Sequence, residues 1–205
     1  MNTRIMLIII SFAYFLTVST ISGQTPQTAN AFLTRGIHFA SLGDYQTAIM
    51  DFSDAIRMNP GFTTAYINRG LAYTQTGDYT RAIADFSNAI RLEPNNLVAH
   101  NNRGYAYVRT DNIELAFADF SRIIRFDPNF TEAYINRGHI HFRKRDYDLA
   151  VADYQAAVRL EPNNAIAIQW LNEARTWQME NQRRQGNNQS WADENRRRLG
   201  DNQRR

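Results

Sequence analysis

Residues 65–95 read AYINRGLAYTQTGDYTRAIADFSNAIRLEPN, and this stretch decides the fold. Tyr66, Arg69, Gly70 and Tyr73 recur at i, i+3, i+4 and i+7, the spacing of one face of a helix. Ala82, Phe86, Ala89 and Ile90 do the same further on. Gly77-Asp78 between them is a turn dipeptide. The spacing predicts a first helix over 64–76 and a second over 79–92. Pro94 ends the second, because proline cannot continue a helix and restricts the residue before it.

Near-copies flank this stretch in fixed phase. Taken from Ala29, Thr63, Leu97 and Thr131, the unit is 34 residues long and runs without insertion from 29 to 164. The eighth place is Gly36, Gly70, Gly104 and Gly138. The twentieth is Ala48, Ala82, Ala116 and Ala150, and the thirty-second is Pro60, Pro94, Pro128 and Pro162. The twenty-fourth is aromatic each time: Phe52, Phe86, Phe120, Tyr154. Small residues let paired helices approach, and the aromatic fills the space between them. One such pair cannot bury its own apolar face, so stability comes from stacking neighbours.

A 34-residue period with these positions resembles the tetratricopeptide repeat (TPR) family. The resemblance covers about two thirds of the chain. It implies an all-α fold, a right-handed α-solenoid of four helix-turn-helix repeats. The repeats are TPR 1 at 29–62, TPR 2 at 63–96, TPR 3 at 97–130 and TPR 4 at 131–164, followed by a C-terminal capping helix over 165–182. On that last helix the spacing aligns Ile168, Leu171, Ala174 and Trp177. This reading makes Trp170 and Trp177 capping core.

Residues 1–23 have the layout of a secretory signal peptide: Arg4, an apolar run over 5–18, then small residues up to Ser22 and Gly23. The run is short for a spanning helix, which needs ~20 residues. Export to the periplasm or outside the cell is expected, with cleavage after Ser22 or Gly23. The alternative is a membrane anchor left uncleaved. Residues 24–28 form a linker.

The chain has no cysteine, which excludes disulfides, thiol catalysis and cysteine-bound metals. Its net charge of +3 is unevenly placed. Residues 29–164 carry 14 basic and 15 acidic side chains, whereas 178–205 carry seven arginines against Glu180, Asp193, Glu194 and Asp201. Attraction to anionic lipid or another polyanion therefore belongs to that segment. Residues 183–205 are rich in Arg, Asn and Gln and poor in apolar residues, the composition of a disordered tail. Ser190 is placed to cap a short helix reaching Leu199.

Two charges recur on the apolar stripes. Arg35, Arg69, Arg103 and Arg137 hold the seventh place, and Asp51, Asp85, Asp119 and Asp153 the twenty-third. Unpaired charges in a helix interface are costly, so each arginine is expected to pair with an aspartate, either within a repeat or between neighbours. Arg57, Arg91, Arg125 and Arg159, in the last turns, complement the helix dipole.

Nothing points to catalysis: there is no glycine-rich phosphate loop and no nucleophile elbow. His139 and His141 are two apart and do not share a helix face, so they make a poor metal pair. No cofactor and no small-molecule substrate are expected. The partner is expected to be another protein or peptide.

The second, sixth, ninth and thirteenth places of each first helix lie opposite its core stripe and would line a concave groove. In TPR 2 they are Thr64, Asn68, Leu71 and Gln75, and in TPR 3 Val98, Asn102, Tyr105 and Arg109. In TPR 4 they are Glu132, Asn136, His139 and Arg143. An amide offers donor and acceptor, so Asn68, Asn102 and Asn136 suit an extended peptide backbone. The row resembles the asparagine ladder of O-linked N-acetylglucosamine transferase. The alternative is that these amides are solvated or bonded to neighbouring helices. The carboxylate clamp of chaperone-binding TPR domains relies on lysines, and none lies here, although Arg109 and Arg143 suit an acidic peptide. The sequence thus favours a secreted or periplasmic adaptor. The competing reading is a structural component of an envelope assembly, held by the array and its basic tail.

Overall fold

A computed structural model describes residues 28–202. Among them there are nine helices and no strand. The helices are α1 Ala29–Ser41, α2 Tyr45–Met58, α3 Thr63–Gln75, α4 Tyr79–Leu92, α5 Leu97–Arg109, α6 Ile113–Phe126, α7 Thr131–Arg143, α8 Tyr147–Leu160 and α9 Ala165–Asn202. The four first helices begin where the sequence repeat begins, and the fold is the expected all-α class of helical repeats with a C-terminal helix. The chain divides into two compact units, one up to Pro94 and one from Asn95, each with two repeats. The segment 1–23, read above as a signal, lies outside the described residues. No described helix is long and apolar enough to cross a membrane.

Each repeat is held by one small residue. A Cβ on Gly36, Gly70, Gly104 or Gly138 would come within 2.6–2.7 Å of the ring of Phe52, Phe86, Phe120 or Tyr154. Those rings are completely buried, so they cannot swing away. The eighth place therefore tolerates no side chain while the aromatic stays.

The first helices bury more than the single stripe expected. Ala65, Ala99 and Ala133 in the third place are fully covered, as are Ala72, Ala106 and Ile140 in the tenth. The reason is that a first helix packs on two sides. It meets its own second helix and, in α3 and α7, the second helix of the preceding repeat within the same unit.

The recurring charges pair within each repeat. Nε and Nη2 of Arg35, Arg69, Arg103 and Arg137 donate to the two carboxylate oxygens of Asp51, Asp85, Asp119 and Asp153 at 2.5–2.8 Å. A two-point fork of this kind fixes the crossing of the two helices as well as neutralising the buried carboxylate. Aromatic rings flank the guanidiniums: Arg69 lies 5.9 Å from the Tyr66 and Tyr73 ring centres.

The last helix differs from expectation in two ways. Its buried stripe is Ala167, Leu171 and Ala174 with Trp170 partly buried, while Ile168 and Trp177 are 37% and 41% exposed. In repeat numbering these are the third, sixth, seventh and tenth places, so α9 is the first helix of an unfinished fifth repeat. Asn172 stands where glycine would be, which leaves no room for the aromatic of another second helix. In addition, the helix does not stop near residue 182, and 183–202 continue it. Arg, Gln, Glu and Ala favour helix, Gly186 and the asparagines do not, and no proline interrupts the run. Glu180 pairs with Arg184 one turn on at 2.6 Å. Ser190 therefore lies inside the helix instead of capping one.

Candidate functional site

The four first helices show their second and thirteenth places to solvent; the sixth is at least partly open in α3, α5 and α7, and the ninth in α3 and α5. In the second unit this face carries Asn102, Tyr105 and Arg109 from α5 with Asn136 and Arg143 from α7. Val98 and Tyr105 are 51% and 40% exposed. Neither packs into the core, so this is apolar surface presented to solvent by a regular helix.

The amides are not idle. Asn68 Nδ2 donates to the Thr64 carbonyl and Asn102 Nδ2 to the Val98 carbonyl, each at 2.8 Å and one turn back. Each bond uses one N–H of the amide and leaves the acceptor end pointing away from that contact. Asn136 behaves differently. Its Nδ2 donates to Oδ1 of Asn101 at 3.2 Å, which ties α7 to α5. Asn101 sits in the fifth place, where Leu33, Ile67 and Ile135 are apolar, so the repeat pattern gave no sign of it.

The arginines are also engaged. Arg109 Nη1 donates to the Tyr105 hydroxyl at 3.0 Å. Arg143 Nη2 pairs with Asp111 at 3.0 Å, a contact between α7 and the turn of the preceding repeat. Both partners of that pair are largely exposed, so exchanging Asp111 for a ligand carboxylate costs at most about 1 kcal/mol. Asp111 was not among the expected residues, because its turn position is glycine in the first two repeats.

His139 does not belong to the open face. Its ring lies 4.6 Å from the Trp170 ring and 5.6 Å from that of Tyr154, both edge-on. Burial pushes its pKa down, and its Nε2 is buried without a hydrogen-bond partner. Trp170 occupies the sixth place of α9, where the three preceding repeats have asparagine and the first has Thr34, and it closes the face over His139. His141 is also depressed by burial, with Asp153, 3.8 Å away, pulling the other way. Among the described residues no three potential metal ligands cluster.

Asp119 has more support than its counterparts. Burial alone would raise its pKa, but hydrogen bonds from Arg103 and His100 outweigh this and hold it below the usual carboxylate range. His100 Nδ1 lies 2.8 Å from Asp119 Oδ1. The other repeats have an aromatic ring in that place.

Family models of the tetratricopeptide repeat match residues 97–130 and 131–164, and a TPR repeat model matches 70–111. No curated protein matches the chain. Among solved structures, a MamA fragment from Desulfovibrio magneticus RS-1 is similar with TM-score 0.68 and 20% identity, over 75% of this chain and 86% of that one. YrrB, described as a TPR protein with an unusual peptide-binding site, is similar with TM-score 0.63 and 20% identity, over 74% and 78%. The first TPR of Spaghetti (RPAP3), bound to the HSP90 peptide SRMEEVD, is similar with TM-score 0.54 and 28% identity, over 56% and 90%.

Proposed function

Because the chain is a tetratricopeptide repeat protein, we propose that it is an exported protein–protein interaction adaptor. It holds an extended peptide segment of a partner on the open face of its first helices. One observation carries this reading. In the second unit, a face that the core does not use brings Asn102, an exposed Tyr105, Arg109 and Arg143 together on two adjoining first helices. The amides supply backbone pairing, Tyr105 supplies a contact surface, and the arginines supply a preference for acidic residues. Asn68 offers the same amide in the first unit. The peptide-binding site described for YrrB and the HSP90 peptide bound to the Spaghetti TPR support the assignment by analogy. Arg4, the apolar run over 5–18 and the small residues at Ser22 and Gly23 support export.

The test is capture of the native partner by the triple variant Asn68→Ala, Asn102→Ala, Asn136→Ala. Capture is expected to weaken at least tenfold, or ~1.4 kcal/mol, with the helical signal retained. The Asn136–Asn101 bond joins two helices, so a small fall in melting temperature is expected. Asn136→Ala alone reports that part. Unchanged capture by the triple variant, with loss only on deleting 183–205, would move the function to the arginine-rich segment and favour the envelope-component reading.

A further inference from the structure

The fifteenth place of every repeat is the turn between its two helices, and it always has a left-handed backbone. Gly43 and Gly77 have φ of 80° and 81°, Asp111 has 62° and Arg145 has 64°. Glycine adopts this region freely, whereas a long side chain is strained there. In Asp111 the departure has a visible use, the bond to Arg143. Arg145 has no such use: it is exposed, and among the described residues no ion pair holds it.

Arg145 instead lines a pocket of about 320 Å³ with Tyr147, Trp177, Glu180, Asn181 and Arg184. The volume is at the low end for small-molecule sites, enough for one group of amino-acid size. One wall is aromatic: the rings of Tyr147 and Trp177 are stacked, 16° from parallel with centres 6.2 Å apart. Glu180 is already taken by Arg184 at 2.6 Å. Two guanidiniums against one carboxylate leave a single net positive charge, carried by Arg145. That balance suits a monoanion better than a doubly charged phosphate, which would also face Glu180. Arg145 offers the planar fork that a carboxylate matches. The pocket is built by the α7–α8 turn, the start of α8 and the middle of α9, and it shares no residue with the first-helix face.

We infer that this pocket is a separate binding site for an aromatic carboxylate of about amino-acid size. The carboxylate sits on Arg145, and the ring lies against Trp177 and Tyr147. The strained backbone at Arg145 is then the consequence of placing a guanidinium where the fold itself would have glycine.

The test uses the full chain and two probes, phenylacetate and the tripeptide Ac-Ala-Ala-Phe with a free carboxylate, each against its amide. Binding is read from tryptophan fluorescence and from perturbed backbone resonances around Arg145 and Trp177. The acids are expected to bind at least tenfold more tightly than the amides. Preference for phenylacetate marks a free small-molecule site, and preference for the tripeptide marks a peptide end. Arg145→Gly should lose at least tenfold in binding while its melting temperature holds or rises, since glycine suits that backbone. A structural role for the arginine would give the opposite melting result. Asn102→Ala with Asn136→Ala should leave probe binding unchanged, which separates this site from the first-helix face. Equal binding of acid and amide, full binding by Arg145→Gly, equal competition by inorganic phosphate, or no binding of either probe would each overturn the inference.

Discussion

Arg69 and Arg103 hold the same place in their repeats but leave different things behind when removed. Asp85 is buried and faces Arg69. Arg69→Leu therefore strands a buried carboxylate and is expected to cost ~3–5 kcal/mol in a denaturant melt. Asp119 also has His100 at 2.8 Å. Arg103→Leu should accordingly cost less, by roughly the 1.5–3 kcal/mol of one charged hydrogen bond. Adding an apolar replacement of Asp85 to Arg69→Leu should recover much of its loss. Equal costs for the two arginines would mean that His100 gives Asp119 no support. Histidine burial sets a second expectation. His139 and His141 both have depressed pKa values in the fold, against about 6.5 when unfolded. The unfolded chain then binds the extra protons. The stability is present above pH ~6.5 and is lost as pH falls through the lower folded values. Each histidine contributes a slope of at most about 1.4 kcal/mol per pH unit. Melting between pH 7.5 and 5.5 should show the fall, and His139→Phe, which keeps a ring against Trp170, should reduce it. A wild-type melting point that does not move over this range would refute the assignment.

At the scale of the element, α9 shows which half of a helix the fold needs. Ala167, Leu171 and Ala174 cover the last repeat, together with Trp170 against Tyr154, His139 and Phe142. Beyond about residue 182 the described side chains are nearly all exposed, and their contacts are local ones such as Asp193–Arg196. Ending the chain at residue 164 should expose the apolar surface of α8 and sharply lower the melting temperature. Ending it at 182 should leave the melting temperature within a few degrees of the full chain. If the shorter deletion proves as damaging as the longer one, the extension is packing on something that its exposure does not reveal. The same helix marks a limit of composition as a guide. A stretch of Arg, Asn and Gln has little to bury and so reads as disordered. Helix continuation avoids the cost of nucleation once a folded turn precedes it, and α9 supplies that turn.

For the whole molecule, the repeat made the fold legible in advance. Glycine at the eighth place and the aromatic at the twenty-fourth are two halves of one packing contact, and they can be read together four times over. The site was legible only in part. Which residues lie on the open face follows from helix geometry, but what their polar ends do depends on Asn101, Asp111 and Trp170, each of which breaks the pattern in a single repeat. Periodicity cannot announce a residue that occurs once. The export proposed above is likewise a matter for the whole chain, because under that proposal a segment outside the repeat decides where the repeat works. The proposal rests on Arg4, on fourteen residues over 5–18 interrupted only by Ser11 and Thr17, and on the small residues Ser22-Gly23, in the order of a secretory signal. The array itself has no cysteine and a near-balanced charge, so it neither requires nor resists an oxidising compartment. The native protein, fractionated and weighed intact, is therefore expected outside the cytoplasm with its first residue near Gly23 or Gln24. Ile9→Arg, which breaks the apolar run, should retain the full-length chain in the cytosol. Wild-type protein found soluble in the cytosol and still beginning at Met1 would sink the export proposal while leaving the peptide-binding face untouched. Full-length protein in the membrane fraction would instead identify residues 1–23 as an anchor.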